Sequence, residues 1–425
     1  MTTVDNSHLR LIDPIFIQAK LRAEFRLPAD SVFQSNLRIL GTGITSSQTD
    51  SYSPTLGANG AISAIHIYDG AELLDSITDF NTYQSWKNLN KSNDANISQN
   101  RRLDYVGLGF CQDGVQSATS DQLDDDDYTL KAQIPVADNI GKGSWLSLRN
   151  CLSFLRNSMV LPTNVFRQLR VVLTFKSAEA LKDAVRDRRD GTLSTNTGLV
   201  LACNEVSEGD VKEAMKRNYR GVVYQPYEFD AVNIAAVTGT ANTNDSTKVI
   251  AQQNDFVVHG FNNKKLKRLL VVHKPTDNTT WVNGNVNKGY GNNASQALFR
   301  ESLNVRINGV NKLAGNGVEG KNRRLAMLTD TFGDVNIIQG QQYCATQDFN
   351  NYVAGANTLQ STQGAVDYAG VICEDYVNTL QVFLNRSGVY NNAGLNQSIR
   401  LILMGEVEKA VIMNNDGSYR IVYTQ

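Results

Sequence analysis

The stretch of this chain that comes nearest to a chemical motif is Gly315-Asn-Gly-Val-Glu-Gly-Lys-Asn322. It contains G-x-G-x-x-G and fails the G-x-x-x-x-G-K-[ST] phosphate loop at its last position. A phosphate loop works through backbone amides at a helix N-terminus and a Ser or Thr hydroxyl that reaches magnesium. Asn322 stands where that hydroxyl is required, and Val310-Asn-Lys-Leu-Ala314 is too polar and short for the buried parallel strand that should lead in. A glycine-rich turn ahead of a helix is expected instead. Asp121 and the run Asp124–Asp127 gather carboxylates as a calcium loop would, but no glycine follows at the turn position and no Glu closes the loop. A solvated acidic loop is the expectation there. Lys264, Lys265, Lys267 and Arg268 form a basic cluster, and Arg323-Arg324 a smaller one. Such groups can face nucleic acid or an anionic membrane. Solvated or salt-bridged loop ends are the simpler reading, and the N-terminus lacks an arginine-rich arm.

The remaining reactive side chains are scattered. His8, His66, His259 and His273 show no zinc-ligand spacing. Cys111, Cys151, Cys203, Cys344 and Cys373 are odd in number and contain no C-x-x-C pair, so free thiols in a reducing compartment are expected. No G-x-S-x-G nucleophile elbow occurs. Trp86, Trp145 and Trp281 read as core or interface packing rather than sugar platforms. No catalytic, cofactor-binding or metal site is assigned, and no cofactor or small-molecule substrate is expected.

The elements that would hold any such residues are strands. The chain has 425 residues, 41% of them hydrophobic and 20% charged, enough for two domains of roughly 200 residues with real cores. The formal charge of −1 argues against a dedicated nucleic-acid binder. No apolar run approaches the ~18 residues of a membrane helix. The start, MTTVDNSHLRLID, has no apolar signal core, so a soluble protein made in the cytosol and not secreted is expected.

Alternation of period two dominates. From Gln18 to Leu27, polar Gln18, Lys20, Arg22, Glu24 and Arg26 alternate with apolar Ala19, Leu21, Ala23, Phe25 and Leu27. Asn36–Ile44 is a second strand candidate. Ile65 and Ile67 lead to a hairpin turn at Asp69-Gly70, and Ala71–Ile77 returns. A helix capped by Thr78 follows, with Phe80, Tyr83 and Trp86 on one face. Tyr128–Val136 and Leu169–Phe175 read as strands, and Ser177–Arg189 and Ser207–Arg217 as helical connections. Strands resume at Val222–Phe229, Phe256–Phe261, Leu266–Lys274, Leu303–Ile307, Leu380–Leu384 and Ile399–Met404. The last hairpin is Ala410–Met413 and Tyr419–Tyr423 around Asp416-Gly417.

The two halves repeat one another. Phe154-Leu-Arg-Asn-Ser158 resembles Phe383-Leu-Asn-Arg-Ser387, and Leu169-Arg-Val-Val-Leu173 resembles Ile399-Arg-Leu-Ile-Leu403. The Asp69-Gly70 turn corresponds to Asn308-Gly309, each ahead of a helix candidate, Thr78–Leu89 and Asn322–Phe332. The expected organisation is an N-terminal β domain at 1–190, a connection at 191–220 and a C-terminal β domain at 221–425. An eight-stranded jelly roll suits that domain length, and so do other sandwiches.

One resemblance selects among them. Ala61-Ile-Ser-Ala-Ile-His-Ile-Tyr-Asp-Gly-Ala-Glu-Leu-Leu-Asp-Ser-Ile77, then Tyr83, Lys87 and Asn90-Lys-Ser-Asn-Asp-Ala-Asn96, resembles the major capsid proteins of polinton-like viruses and virophages. So does Ile134-Pro135-Val136 running to Phe154-Leu155 and Leu161-Pro162, ahead of Leu169–Phe175. The resemblance implies an all-β fold: two tandem eight-stranded jelly-roll barrels with short helices in connecting loops, the adenovirus hexon-like arrangement. It further implies a virion protein without enzymatic activity. Three copies would form a pseudo-hexagonal homotrimeric capsomer, and capsomers would tile an icosahedral shell around a DNA genome. The implied partners are neighbouring capsomers, penton and minor or cement proteins, and packaged DNA or an internal membrane on the inner face. Loops such as Asn278–Asn293 would decorate the outside. The alternative is a β-sandwich carbohydrate- or receptor-binding module of a virus or phage, which predicts secretion, paired cysteines or clustered exposed aromatics. A glycan-processing enzyme would need a carboxylate pair about 5–10 Å apart, which spacing in sequence does not reveal.

Overall fold

The computed structural model describes residues 7–18, 22–40, 44–45, 62–80, 82–84, 86, 145–175, 192–193, 199–235, 249–275, 300–313, 317–319, 321–333, 368–389, 398–414 and 416–424. Residue contacts divide the chain into two compact units. Of the described residues, the first unit holds those through Tyr83, those from 145 to Tyr227, and Glu408–Thr424. The second holds Gln84, Trp86 and Glu228–Val407.

The first unit is built on β1 (Ser7–Ile12), β2 (Arg22–Arg26), β3 (Val32–Gln34 and Arg38–Leu40), β4 (Ile62–Asp69), β5 (Glu72–Ile77), β6 (Trp145–Ser147 and Val160–Pro162), β7 (Leu169–Phe175) and β8 (Val200–Val206). One sheet has the order β1-β8-β3-β6 and the other β2-β7-β4-β5. First pairs with last, second with seventh, third with sixth and fourth with fifth, all antiparallel. A long hairpin rolled up in this way is a jelly roll.

Local sequence explains the strands and corrects several expectations. In β2, Ala23 and Phe25 are buried while Arg26 is exposed, the alternation of a strand with one inner face. Glu24 is also buried, but Arg170 and Arg22 meet its carboxylate at 3.2 and 3.5 Å. The expected single strand from Gln18 is a hairpin instead: Phe16–Gln18 pairs antiparallel with β2, and Gln18 stands opposite Arg22. Alternation continues across both arms of such a hairpin, so it does not mark where a strand ends. The β4–β5 turn also sits one residue later than expected. Asp69 pairs with Glu72, and Gly70 takes φ +60° at the first central position, the II′ pattern. The following helix is capped by Asp79, whose carboxylate accepts the Thr82 N–H at 3.2 Å, rather than by Thr78. Phe80, Tyr83 and Trp86 are all buried, as their spacing requires.

The second unit is β9 (Tyr227–Ile234), β10 (Val249–Val258), β11 (Lys264–Pro275), β12 (Arg300–Ile307), β13 (Val310–Asn311 and Val318–Glu319), β14 (Tyr368–Val377), β15 (Leu380–Val389) and β16 (Ile399–Val407). Its sheets, β9-β16-β11-β14 and β10-β15-β12-β13, repeat the order of the first unit position for position. Leu269, Val271, Val305, Val382, Leu384, Leu401 and Leu403 form its core. Every residue of β16 is buried except exposed Arg400, the mark of a central strand covered on both faces. Helix Lys321–Phe332 lies against β14 and is let close by Gly370, where an added Cβ would come within 2.8 Å of the Thr331 side chain.

The duplication is therefore real, yet two of the three sequence matches that suggested it join unlike elements. Phe154–Ser158 lies in and just past helix Ser153–Asn157, whereas Phe383–Ser387 lies in β15. Leu169–Leu173 is in a seventh strand and Ile399–Leu403 in an eighth. Asp69-Gly70 and Asn308-Gly309 are equivalent: both close the hairpin between fourth and fifth strands ahead of a helix. Connections of unequal length shift the offset from strand to strand, so a constant spacing is the wrong template.

The contacts also divide the chain differently from 1–190, 191–220 and 221–425. Val200–Val206, expected in the connection, pairs with β1 and β3 of the first barrel. The expected strand Val222–Phe229 is two strands, Gly221–Tyr224 and β9, in different units. Gly221–Tyr224 joins Lys409–Met413 and Tyr419–Tyr423 in a three-stranded sheet belonging to the first unit. Helix Gly209–Asn218 matches its expectation. Tyr128–Val136 and Ser177–Arg189 lie outside the described residues.

Successive antiparallel strands alternate in direction, so connections alternate between the two ends of each barrel. The connections after even-numbered strands are 27–31, 70–71 and 163–168 in the first barrel, and 259–263, 308–309 and 378–379 in the second. Those after odd-numbered strands include 41–61, 78–144 and 176–199, and then 276–299 and 320–367. Each barrel thus has one end of tight turns and one end that carries the long connections.

Gly405 provides a test of core packing in the second barrel. A Cβ there would come 2.3 Å from the Phe261 ring and 2.7 Å from Leu266 Cδ1. Both neighbours are fully buried and have no room to yield. Gly405→Ala should cost about 1–3 kcal/mol, seen as a lower midpoint of denaturant unfolding with an unchanged slope.

Candidate functional site

Within the glycine-rich motif, Gly317 has a structural explanation. Gly317 adopts φ +108°, and a Cβ on it would lie 2.7 Å from the Leu303 carbonyl oxygen. The glycine is there because a neighbouring backbone passes close, with no phosphate needed. Val318–Glu319 pairs antiparallel with Ser302–Leu303, and helix Lys321–Phe332 begins directly after. This is the turn ahead of a helix that the sequence suggested.

Two members of the basic cluster are engaged within their own unit. Lys264 is ion-paired with Glu228 and donates to the Gly260 carbonyl at 2.6 Å. Arg268 donates to Glu406 and lies 5.3 Å over the Phe332 ring. His8 lies 3.6 Å from Glu205, and His66 stacks on Tyr68 at 5.8 Å. Burial, then the Arg22 charge, lowers the His66 pKa. Among the described residues no three His, Cys, Asp or Glu side chains are grouped to hold a metal. Cys151, Cys203 and Cys373 are buried and form no disulfide with one another, and burial pushes the Cys203 and Cys373 thiols up to about 12. A thiol raised in this way stays protonated at neutral pH, the form that is not nucleophilic. Trp86 packs edge-on against Phe332 at 5.3 Å, as core. Asp121, Asp124–Asp127, Cys111, Cys344 and Trp281 lie outside the described residues, as do the side chains of Trp145, His273, Arg323 and Arg324.

Three carboxylates in the first unit organise it; of these the sequence marked Asp69 alone, and only as part of a turn. Asp75 is almost fully buried on β5. It accepts the Phe154 N–H at 2.8 Å and the Ser153 hydroxyl at 3.3 Å, tying β5 to helix Ser153–Asn157. Burial raises its pKa to about 6, against those donors and the charge of Lys409. Glu205 accepts from Ser31 and Arg10, each at 2.6 Å, with Lys212 at 3.6 Å. Burial alone would raise its carboxyl, but the Ser31 and Arg10 hydrogen bonds and the Arg10 and Lys212 charges hold it below the ordinary value. Asp69 accepts the Gln168 N–H at 2.6 Å and the Tyr419 O–H at 2.7 Å. Beside it opens a cleft of about 520 Å³ lined by Glu72, Val165, Arg167 and residues Gly417–Ile421. Both Asp69 oxygens are engaged by the Gln168 and Tyr419 donors. The signal that could have found these groups is a carboxylate at an inward position of a strand, visible once the face is known.

Among the described residues, several large apolar side chains are exposed on strands. On β1, which pairs with β8 alone among the described strands, Leu9 and Leu11 are 60% and 57% exposed, and Ile15 follows at 54%. On β14, the end strand of its sheet, Ile372 and Tyr376 are exposed. Exposed apolar residues on sheet edges suit contact with another protein surface better than catalysis.

No family model matches the sequence, and no curated protein matches it. Solved structures match the fold along its whole length. A chain of the Sputnik virophage structure matches with a TM-score of 0.57 at 10% identity, covering 99% of this chain and 88% of that one. A chain of the PBCV-1 virus capsid matches at 0.54 and 12%, covering 99% and 97%. The mavirus major capsid protein matches at 0.50 and 8%, covering 98% and 90%. This chain shares their fold, the double jelly roll.

Asp75 makes a stability prediction. Its folded pKa of about 6 lies above the ordinary 3.8, so between those values the folded chain binds the additional proton. Stability should therefore fall as pH rises from 3.8 to about 6, by roughly 2–3 kcal/mol in all. In Asp75→Asn that fall should vanish from the pH profile of the unfolding midpoint. A profile identical to wild type would contradict the assignment.

Proposed function

We propose that this chain is a viral major capsid protein, acting as a structural subunit rather than an enzyme. The observation that carries the reading is the jelly-roll strand order written twice in one chain, in a fold shared over 99% of its length with chains of the Sputnik and PBCV-1 structures. In this reading three copies form a pseudo-hexagonal homotrimer. Two similar barrels per chain give six similar units around a three-fold axis, so a trimer fills a hexagonal place in a shell. The capsomers tile an icosahedral capsid around a DNA genome. Penton and minor or cement proteins join them, and packaged DNA or an internal membrane lies beneath. The protein is made in the host cytoplasm and resides in the virion.

The two unlike ends of each barrel support this arrangement. Tight turns make a flat end fit to lie on an inner surface, and long connections suit the outside, where length costs little. The exposed apolar residues of β1 and β14 would be covered by neighbouring subunits.

Light scattering on the purified protein, with negative-stain images of the same peak, tests the proposal. The expected native mass is about 140 kDa, three times 46.8 kDa, with hexagonal outlines. A stable monomer with no tendency to assemble would overturn it and favour a β-sandwich binding module.

A further inference from the structure

At the tight-turn end of each barrel, one side chain on the turn between the fourth and fifth strands reaches across to a neighbouring turn. In the first barrel Asp69 accepts the Gln168 N–H at 2.6 Å, while the Gly70 N–H donates to the Gln168 carbonyl at 3.2 Å. In the second barrel the side chain is that of Asn308. Its Oδ1 accepts the N–H of Asn378 at 2.8 Å and the N–H of Thr379 at 3.1 Å, and its Nδ2 donates to the Tyr376 carbonyl at 2.7 Å. The Asn308 N–H adds a bond to the Thr379 carbonyl at 2.9 Å. The turn 308–309 is thus clasped to the turn 378–379. The side chains differ with their partners. The Gln168 N–H and the Tyr419 O–H both donate to Asp69, as suits a carboxylate. Asn308 meets two donors and a carbonyl, which only an amide satisfies.

This clasp falls on a reactive dipeptide. Asn308 and Gly309 take φ +51° and +82°, the two positive values of a type I′ turn. Asn is a chemically labile residue, and most so ahead of Gly, whose backbone nitrogen no side chain shields. A Cβ on Gly309 would itself meet nothing within 4 Å, so the site is open. In deamidation the Gly309 nitrogen attacks Asn308 Cγ. The N–Cγ bond forms, the Cγ–Nδ2 bond breaks, and the amide group leaves as ammonia with the proton of the Gly309 N–H. Water then opens the succinimide ring to aspartate or isoaspartate. Asn308 is exposed, so burial does not keep water from it. What opposes the reaction is hydrogen bonding. Bringing Cγ onto the Gly309 nitrogen requires rotation about the Asn308 Cα–Cβ bond, and that rotation breaks all three side-chain bonds.

We propose that Asn308-Gly309 is a deamidation site held shut by this clasp, so that conversion of Asn308 records the opening of the tight-turn end of the second barrel. The change runs one way. In the aspartate product an oxygen takes the place of Nδ2 against the Tyr376 carbonyl, and two acceptors face each other. The inference concerns the single chain and does not rest on the capsid reading.

Peptide mapping by mass spectrometry, after incubation at mildly alkaline pH in heavy-oxygen water, tests it. Three hydrogen bonds, each worth roughly a factor of five, should make the folded chain convert Asn308 about a hundredfold more slowly than the same chain in denaturant. In denaturant Asn308 should convert as fast as Asn59, which also precedes a glycine. Inserting one glycine between Asn378 and Thr379 moves the partners of the clasp, and should raise the folded rate about tenfold or more. Thr379→Pro deletes one donor and should raise it about fivefold. A folded wild-type rate equal to the denatured rate would overturn the inference. So would an Asn308 that is equally slow in denaturant, or a folded insertion variant that keeps the wild-type rate. Should the insertion variant fail to fold, Thr379→Pro and the wild-type comparison decide.

Discussion

Backbone groups on a strand must find partners, and this chain meets that requirement by pairing its strands from the outside inward. β1 pairs with β8 across the whole first barrel, joining Ser7 to Val206, and β2 with β7, β3 with β6 and β4 with β5 nest inside. The second barrel repeats the scheme. Much else follows from it. A strand in mid-sheet, such as β16, is covered on both faces and must be apolar almost throughout. A strand at the edge, such as β1, can leave leucines in solvent. Because pairing fixes the turns at one end, variation in length collects at the other.

Elements that are not barrel strands need another form of attachment, and in the first unit buried carboxylates supply it. Asp75 holds helix Ser153–Asn157, and Asp69 holds the loop before β7 and the C-terminal hairpin; Glu205 in addition ties the barrel strand β1 to β8 through Arg10. A buried carboxylate is costly unless its oxygens accept hydrogen bonds. Each therefore specifies one arrangement of the segment that supplies its donors. These groups look like chemistry in a list of titratable residues and behave as fasteners in the fold.

The same logic bears on function. Among the described residues, three that belong to segments resembling reactive motifs have structural partners: Gly317 lies against the carbonyl of Leu303, and Lys264 and Arg268 pair with Glu228 and Glu406. What remains is a duplicated scaffold with apolar residues on its sheet edges, an arrangement suited to meeting other subunits.

Sequence alone determined the β class, the hairpins around Asp69-Gly70 and Asp416-Gly417, and the buried face of the helix bearing Phe80, Tyr83 and Trp86. Each depends on residues within a few positions of one another: period-two alternation, glycine at a positive φ, helical spacing. The resemblance carried by Ala61–Ile77 selected the jelly roll from the sandwiches that periodicity allows. Tertiary structure decided the rest. It assigned Val200–Val206 to the first barrel, split Gly221–Tyr224 from β9, and returned Lys409–Tyr423 to the first unit. It also revealed that Phe154–Ser158 and Phe383–Ser387, nearly alike in sequence, are helix and strand. Leu9 and Leu11 have the alternation of any half-buried strand, and only the sheet order places them outside. The reason is common to all of these. Which strand a segment pairs with, and which of its faces meets solvent, depends on residues far away in sequence, and local pattern carries no record of them.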